Sequence, residues 1–329
     1  MSSRLSSERI KAEAKDLGFF ACGIAKAERV DTDAETELAE WLGKGMNADM
    51  AYMANHTDKR LDPRLLMDGL KSIICVAMNY APAYRMPKDE LQFAAYALGQ
   101  DYHFIVKDRL RLLAGRLGLH SYRVFCDSAP VLERYWAAKA GLGWIGRNRQ
   151  LIIPHAGSMF FLGELFTDKE TDYDLPVKNR CGNCHSCIDA CPTGALAGTV
   201  SNTCKNGDLP HEAAFDARLC LSYQTIENRG EIPPGIAMKM GNTVYGCDRC
   251  QQACPWNRFA TPSEEPLLRP RDEFLSMTRD KWNRLTPEDY RRLFKGSAVK
   301  RVKYEGLMRN ISAVNNNLKE KNKDNGTGE

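Results

Sequence analysis

Residues 181–192 read Cys181-Gly-Asn-Cys184-His-Ser-Cys187-Ile-Asp-Ala-Cys191-Pro192. Four cysteines separated by two, two and three residues, and closed by Cys-Pro, form the ligand run of a 4Fe–4S cluster. Three thiolates on one tight loop grip three irons of a cubane, and the fourth, a helical turn beyond, points to a second cluster. A second run must therefore exist. Cys247-Asp-Arg-Cys250-Gln-Gln-Ala-Cys254-Pro255 supplies it, one cysteine short. Cys220, between the runs, can give the missing thiolate. The crossing rule then assigns Cys181, Cys184, Cys187 and Cys254 to one cluster, and Cys191, Cys220, Cys247 and Cys250 to the other. Cys204 is left over and stands as an alternative to Cys220. Zinc also uses cysteines two residues apart. It needs neither four in succession nor a terminal Cys-Pro, and that pair occurs twice here.

The other three of the 12 cysteines, Cys22, Cys75 and Cys126, are isolated. The N-terminus, MSSRLSSERIKAEAKDLGFF, has the charge alternation of an amphipathic helix and not the layout of a signal peptide. A cytoplasmic protein is expected, where thiols stay reduced and cysteines in number mean metal rather than disulfides. No apolar run reaches the length of a membrane span. The net charge of +4 does not announce a nucleic-acid binder. Locally, KRVKYEGLMR from Lys300 to Arg309 would suit a polyanion, although charge alone favours a solvated helix face.

Outward from the cysteines, the chain divides into three. Residues 1–175 mix helix and strand: apolar spacing predicts helices over 6–17, 34–44 and 104–118, and β-like runs lie at 72–78, 122–125 and 150–153. The acidic stretch from Thr167 to Lys178, with Pro176, marks a boundary. The cysteine module follows over 176–262. Residues 263–329 predict a short helical region with a tail, from Asn315, too polar to order itself. The expected class is α+β: a mixed α/β domain, a bacterial-ferredoxin-like two-cluster module and a short helical C-terminus.

Two motifs mislead. Gly141-Leu-Gly143-Trp-Ile-Gly146 has the spacing of a dinucleotide fingerprint, but the residues before it (131–140) predict a helix, so the glycines end that helix instead. Asp101-Tyr-His103 begins like a cobalt-ligating Asp-x-His-x-x-Gly signature, but position 106 is Val. An ordinary helix start at Asp101 is expected there. Asp127, after the 122–125 run, reads as a turn or cap residue or as a proton donor at a strand end.

Many separate blocks in order resemble the epoxyqueuosine reductase family. They include Lys59-Arg60-Leu-Asp62-Pro63-Arg64, Gly99-Gln-Asp101-Tyr102-His103, Asp127-Ser-Ala-Pro130, Gly157 to Glu164, Cys220-Leu-Ser222-Tyr223 and Gly241 to Asp248, besides both cysteine runs. The resemblance implies reduction of epoxyqueuosine to queuosine at the tRNA wobble position, with electrons passing through two 4Fe–4S clusters to a cobalamin held between the N-terminal domain and the module. It places the family's catalytic aspartate on Asp127, which would protonate substrate with a pKa raised by burial beside the corrin. It further implies cobalamin contacts at Arg60, Asp127, Ser222, Cys247 and Asp248, and tRNA contacts near Lys300, Arg301, Arg309 and Asn310. Longer members continue into a helical-repeat domain that this chain is not expected to have. An external low-potential electron donor and a monomer are expected.

Three other readings share features with this one. An electron carrier would leave residues 1–175 without a task. A corrinoid reductase of a small molecule would use the same cofactors but would not need the basic 300–309 segment. A cobalamin-processing protein would leave the clusters idle.

Overall fold

The computed structural model describes residues 4–84, 86–197 and 215–326. Cys204 lies outside the described residues. In the first half, α1 (Ser7–Asp16) leads to β1 (Ala21–Lys26), α2 (Thr32–Gly43), α3 (Thr57–Leu61), β2 (Ser72–Asn79) and β3 (Gln92–Phe93). Then come α4 (Tyr102–Arg116), β4 (Tyr122–Phe125), α5 (Glu133–Lys139), the hairpin of β5 (Trp144–Ile145) with β6 (Leu151–Ile152), and β7 (Phe160–Thr167). The second half contains α6 (Ser186–Asp189), α7 (Leu221–Ile226), α8 (Pro234–Ala237), β8 (Thr243–Tyr245) and α9 (Arg249–Gln252). It closes with α10 (Asp272–Leu275), α11 (Arg279–Asn283), α12 (Pro287–Leu293) and α13 (Lys303–Gly326).

The main sheet has the order β1-β2-β7-β4, antiparallel throughout. Side chains alternate across a strand, and both faces of β2 are covered. Ile74, Val76 and Met78 pack with Ile10 and Ala14 of α1 and Val106, Leu110 and Leu113 of α4. Ile73, Cys75 and Ala77 pack with Trp136 and Ala137 of α5. Gly163 of β7 lets α4 approach: a Cβ there would lie 2.6 Å from Val106 Cγ1. The mixture of helix and sheet matches the expected class.

The second core gathers Phe93, Trp282, Phe274 and Phe294, whose rings meet at centroid distances of 5.1 to 6.3 Å. Ring pairs of this kind contribute about 0.5–1.5 kcal/mol beyond their buried area. Phe93 reaches this core because β3 pairs in parallel with β8. Packing is therefore continuous across the boundaries expected near residues 175 and 262.

The tail expected to lack structure from Asn315 is corrected, because α13 runs on to Gly326. Tertiary contacts override composition here. Val314 is fully buried, Asn315 Nδ2 donates to Asn283 Oδ1 at 2.7 Å, and Asn317 Nδ2 donates to the Ala237 carbonyl at 2.6 Å. Among the described residues no helix is long and apolar enough to cross a membrane.

Candidate functional site

The cysteine runs sit on one-turn helices that face each other, α6 and α9. Their thiols fall into two neighbourhoods. Burial pushes the Cys187 thiol up to about 11, and the negative charges of Cys254, Cys181 and Cys184 push the same way. Burial also raises Cys250, helped by Cys247, Cys220 and more weakly Cys187, while Cys220 is raised by burial with Cys191 beside it. Cys181, Cys184, Cys187 and Cys254 thus act on one another, as do Cys191, Cys220, Cys247 and Cys250. Thiols crowded so that each ionisation opposes the next fit a cationic iron centre, which reverses that penalty. N–H groups also point at sulfur: Trp144 Nε1 lies 3.5 Å from Cys181 Sγ, and backbone amides of Arg249 and of Trp256 and Asn257 bond Cys247 and Cys254. Such bonds tune a cluster's potential. Among the described residues no group of three or more His, Cys, Asp and Glu side chains is gathered as a ligand set for a metal ion. The fold supplies the two wider thiol groups instead.

The second centre lies at the end of β4. Asp127 has a left-handed backbone, φ 54°, and is not a helix cap: Leu132 holds that position for α5. Tyr102 Oη donates to Asp127 Oδ2, and His103 Nε2 lies 3.6 Å from the same oxygen. Asp101 caps α4 by accepting from the His103 amide at 3.1 Å, as the helix-start reading expects, and it also holds His103 Nδ1 at 2.6 Å. Tyr102 stacks on Phe161 at 4.1 Å with 2° between the rings. One N-cap thus aims two polar side chains at one carboxylate.

The Asp127 side chain is 60% exposed, with the Tyr102 hydroxyl and the His103 ring against it and the Glu133 carboxyl at its backbone N–H. The expectation of a raised pKa is corrected. Burial pushes this carboxyl up, but hydrogen bonds from His103 and Tyr102 and the charges of His103 and Arg134 outweigh it and hold it below its ordinary value. The proton moves to the partner. Burial opposes the His103 imidazolium, but Asp101 and Asp127 overcome that and raise it to about 9.

Arg60 of α3 is buried; its Nη2 donates to the Tyr52 carbonyl at 3.0 Å, while its Nε has no partner among the described residues. A buried donor left over in this way fits a polar group not made by the chain. Asp248 accepts the Ala95 amide at 2.7 Å and is pushed up to about 6 by burial. Tyr96 feels the charges of both Asp127 and Asp248, and Tyr52 those of Arg301, Asp127 and Arg60. Through Tyr52 and Tyr96, the charges of Arg60, Asp127 and Asp248 thus act on neighbouring phenols. Ser222, in the first turn of α7, gives its backbone N–H to Cys220, whose charge in turn acts on Cys247.

The basic segment is largely committed internally. Arg309 donates to the carbonyls of Gln224 and Asn228 at 2.9 and 2.8 Å and also to that of Gly230. Asn310 is fully buried and donates to the Thr225 and Val244 carbonyls, both at 2.8 Å. Arg301 pairs with Glu227 at 2.7 Å and lies over the Tyr52 ring. Lys300 is exposed. The glycines of 141–146 follow helix α5, not a strand, and turn into β5, so the dinucleotide context is absent as expected. The sequence reading missed Glu133 and Glu164, which lie under Asp127.

The family model described as "Epoxyqueuosine reductase QueG, DUF1730" matches residues 60–128, and "4Fe-4S double cluster binding domain" matches 180–257. An epoxyqueuosine reductase of Cellulophaga algicola is 44% identical, over 93% of this chain and 96% of that protein. The Escherichia coli epoxyqueuosine reductase is 36% identical, over 94% of this chain and 80% of its own length. A crystal structure of epoxyqueuosine reductase with an epoxyqueuosine-modified tRNA-Tyr stem loop superposes with a TM-score of 0.82 at 27% identity, covering 95% of this chain and 81% of that one.

Proposed function

The chain belongs to the epoxyqueuosine reductase family, and from that premise we propose that it reduces epoxyqueuosine in tRNA to queuosine with electrons carried by two 4Fe–4S clusters and a cobalamin. The observation that carries the reading is a carboxylate, an imidazolium and a phenol converging at the end of β4, in a chain that also gathers the cysteines of two runs and Cys220 between them. In this reading residues 1–175 form the cobalamin-binding domain, with Arg60, Ser222, Cys247 and Asp248 holding the corrinoid. Cobalamin supplies a metal with stable one-electron steps, matched to clusters that release electrons singly.

Epoxide reduction to an alkene takes two electrons and two protons and releases water. The oxygen leaves well only if it is protonated, because an alkoxide is a poor leaving group. At neutral pH His103 carries a proton and Asp127 is ionised, so the pair holds one mobile proton with Tyr102 fixing its direction. Asp127 receives that proton and passes it to the leaving oxygen, and a second proton from solvent completes the water that leaves. The imidazolium is present below about pH 9 and is lost as pH rises through that value.

The polyanionic substrate meets Lys300 and Arg301 at the rim, with the Tyr52 ring beside Arg301 as a surface for a base. Arg309 serves to hold the 224–230 loop that carries Glu227. The expected result is a stem-loop affinity that falls with salt, and a log–log slope reduced by about 1 or less in Lys300→Ala. Filter binding across a salt series checks it. A slope near zero in the wild-type protein would turn the reading toward a corrinoid reductase of a small molecule.

A further inference from the structure

Two acids have no task in the mechanism above. Glu164 stands midway along β7 with no exposed surface, and neither carboxyl oxygen has a hydrogen-bond donor. Its cross-strand neighbours are Cys75 on β2 and Phe125 on β4. Neither can neutralise it. Beside it stands Glu133, the first residue of α5, and the two side chains meet directly. With both ionised, Glu164 is unpartnered; with one proton between them, the contact becomes a hydrogen bond. Glu133 also accepts the backbone N–H of Asp127. That acceptor fixes the left-handed turn at Asp127, a conformation that Asp adopts more readily than most residues with a side chain.

We infer that Glu133 and Glu164 are a positioning pair that keeps at least one proton between two touching carboxyls and, through Glu133, pins the backbone of Asp127 at the end of β4. Two carboxyls in contact out of water cannot both ionise. Keeping a proton on the pair lets Glu133 stay under Asp127 as an acceptor while the pair carries at most one negative charge. The other ionisable groups around the pair are Asp127, His103, Arg134, Lys107 and the thiols of Cys75 and Cys126. Burial first, then the Asp127 charge, pushes Glu133 up to about 8, and burial with Glu133 raises Glu164 well above its ordinary value. For acids raised in this way the protonated form persists at neutral pH and is lost as pH rises. As pH rises through about 8, loss of a proton from Glu133 places a negative charge beneath Asp127 while Glu164 keeps its own proton. The pin then works against its own repulsion.

The pair rests on the reading of Asp127 as the proton-handling residue, so its test includes a signal that does not depend on turnover. Infrared difference spectra of the full chain, with clusters and cobalamin bound, are compared between neutral and alkaline pH. The wild-type protein should lose a carbonyl stretch of a protonated acid. Glu164→Gln should lack that band, because its amide donates to Glu133 in place of the shared proton. In single-turnover rates against pH, the wild-type limb near 8 should vanish in Glu164→Gln, leaving only the later fall of His103. Glu133→Gln keeps an oxygen for the Asp127 amide and should stay within about 10-fold of wild type, whereas Glu133→Ala should fall by about 100-fold with stem-loop affinity unchanged. No acid band in the wild-type protein, or identical pH profiles in wild type and Glu164→Gln, would overturn the pair. A band present without any turnover would count against the function and leave the pair standing.

Discussion

Asp127→Asn should bind cobalamin, both clusters and the stem loop as the wild-type protein does, yet convert substrate about 10²- to 10⁴-fold more slowly, the usual weight of a positioned acid or base. The reason lies in what the amide keeps and loses. Its oxygen can still accept from Tyr102, and its backbone N–H can still reach Glu133, so the loop should hold its place. It cannot take a proton from His103 and pass it on. Removing the charge also removes one of the two carboxylates that raise His103 to about 9, so the remaining activity should begin to fall at a lower pH than in the wild-type protein. Asp101 stays in place and limits that shift. Single-turnover rates over a pH series, beside the visible spectra of bound cobalamin and clusters, check both effects. Full activity with an unmoved alkaline limb would remove Asp127 from the chemistry.

Cys220→Ser should lose one cluster, leaving roughly half of the iron, and with it nearly all turnover. Cys220 comes from the loop between the two runs, and the thiols around it are those of Cys191, Cys247 and Cys250. A hydroxyl in its place is a poor soft ligand for iron. Cys204→Ser should keep its full iron content and rate. Iron and sulfide analysis with electron paramagnetic resonance of the reduced protein separates the two variants. Half the iron in Cys204→Ser and all of it in Cys220→Ser would exchange their roles.

The cysteine module was the most legible part of the chain, because its ligand spacing is a local property of sequence. Helix α4 and strands β2 and β4 were visible through apolar periodicity and β-branched runs. Strand β7 was not read as a strand, although it is central to the sheet. It is buried on both faces, so it shows no alternation, and it contains Gly163 and Glu164, which weaken a strand signal. The protonation of Asp127 was also misjudged. Burial alone pointed upward, while the hydrogen bonds that decide the sign come from Tyr102 and His103 on another element. Likewise Arg309 and Asn310 look like free polar groups in a basic run, and only the fold shows the carbonyls they serve.

The most direct measurement is single-turnover conversion of epoxyqueuosine-containing tRNA by the anaerobically reconstituted protein with a strong reductant, with and without cobalamin. Queuosine forming only when cobalamin is present is the predicted result. No queuosine, with clusters and cobalamin both verified by spectroscopy, would contradict it.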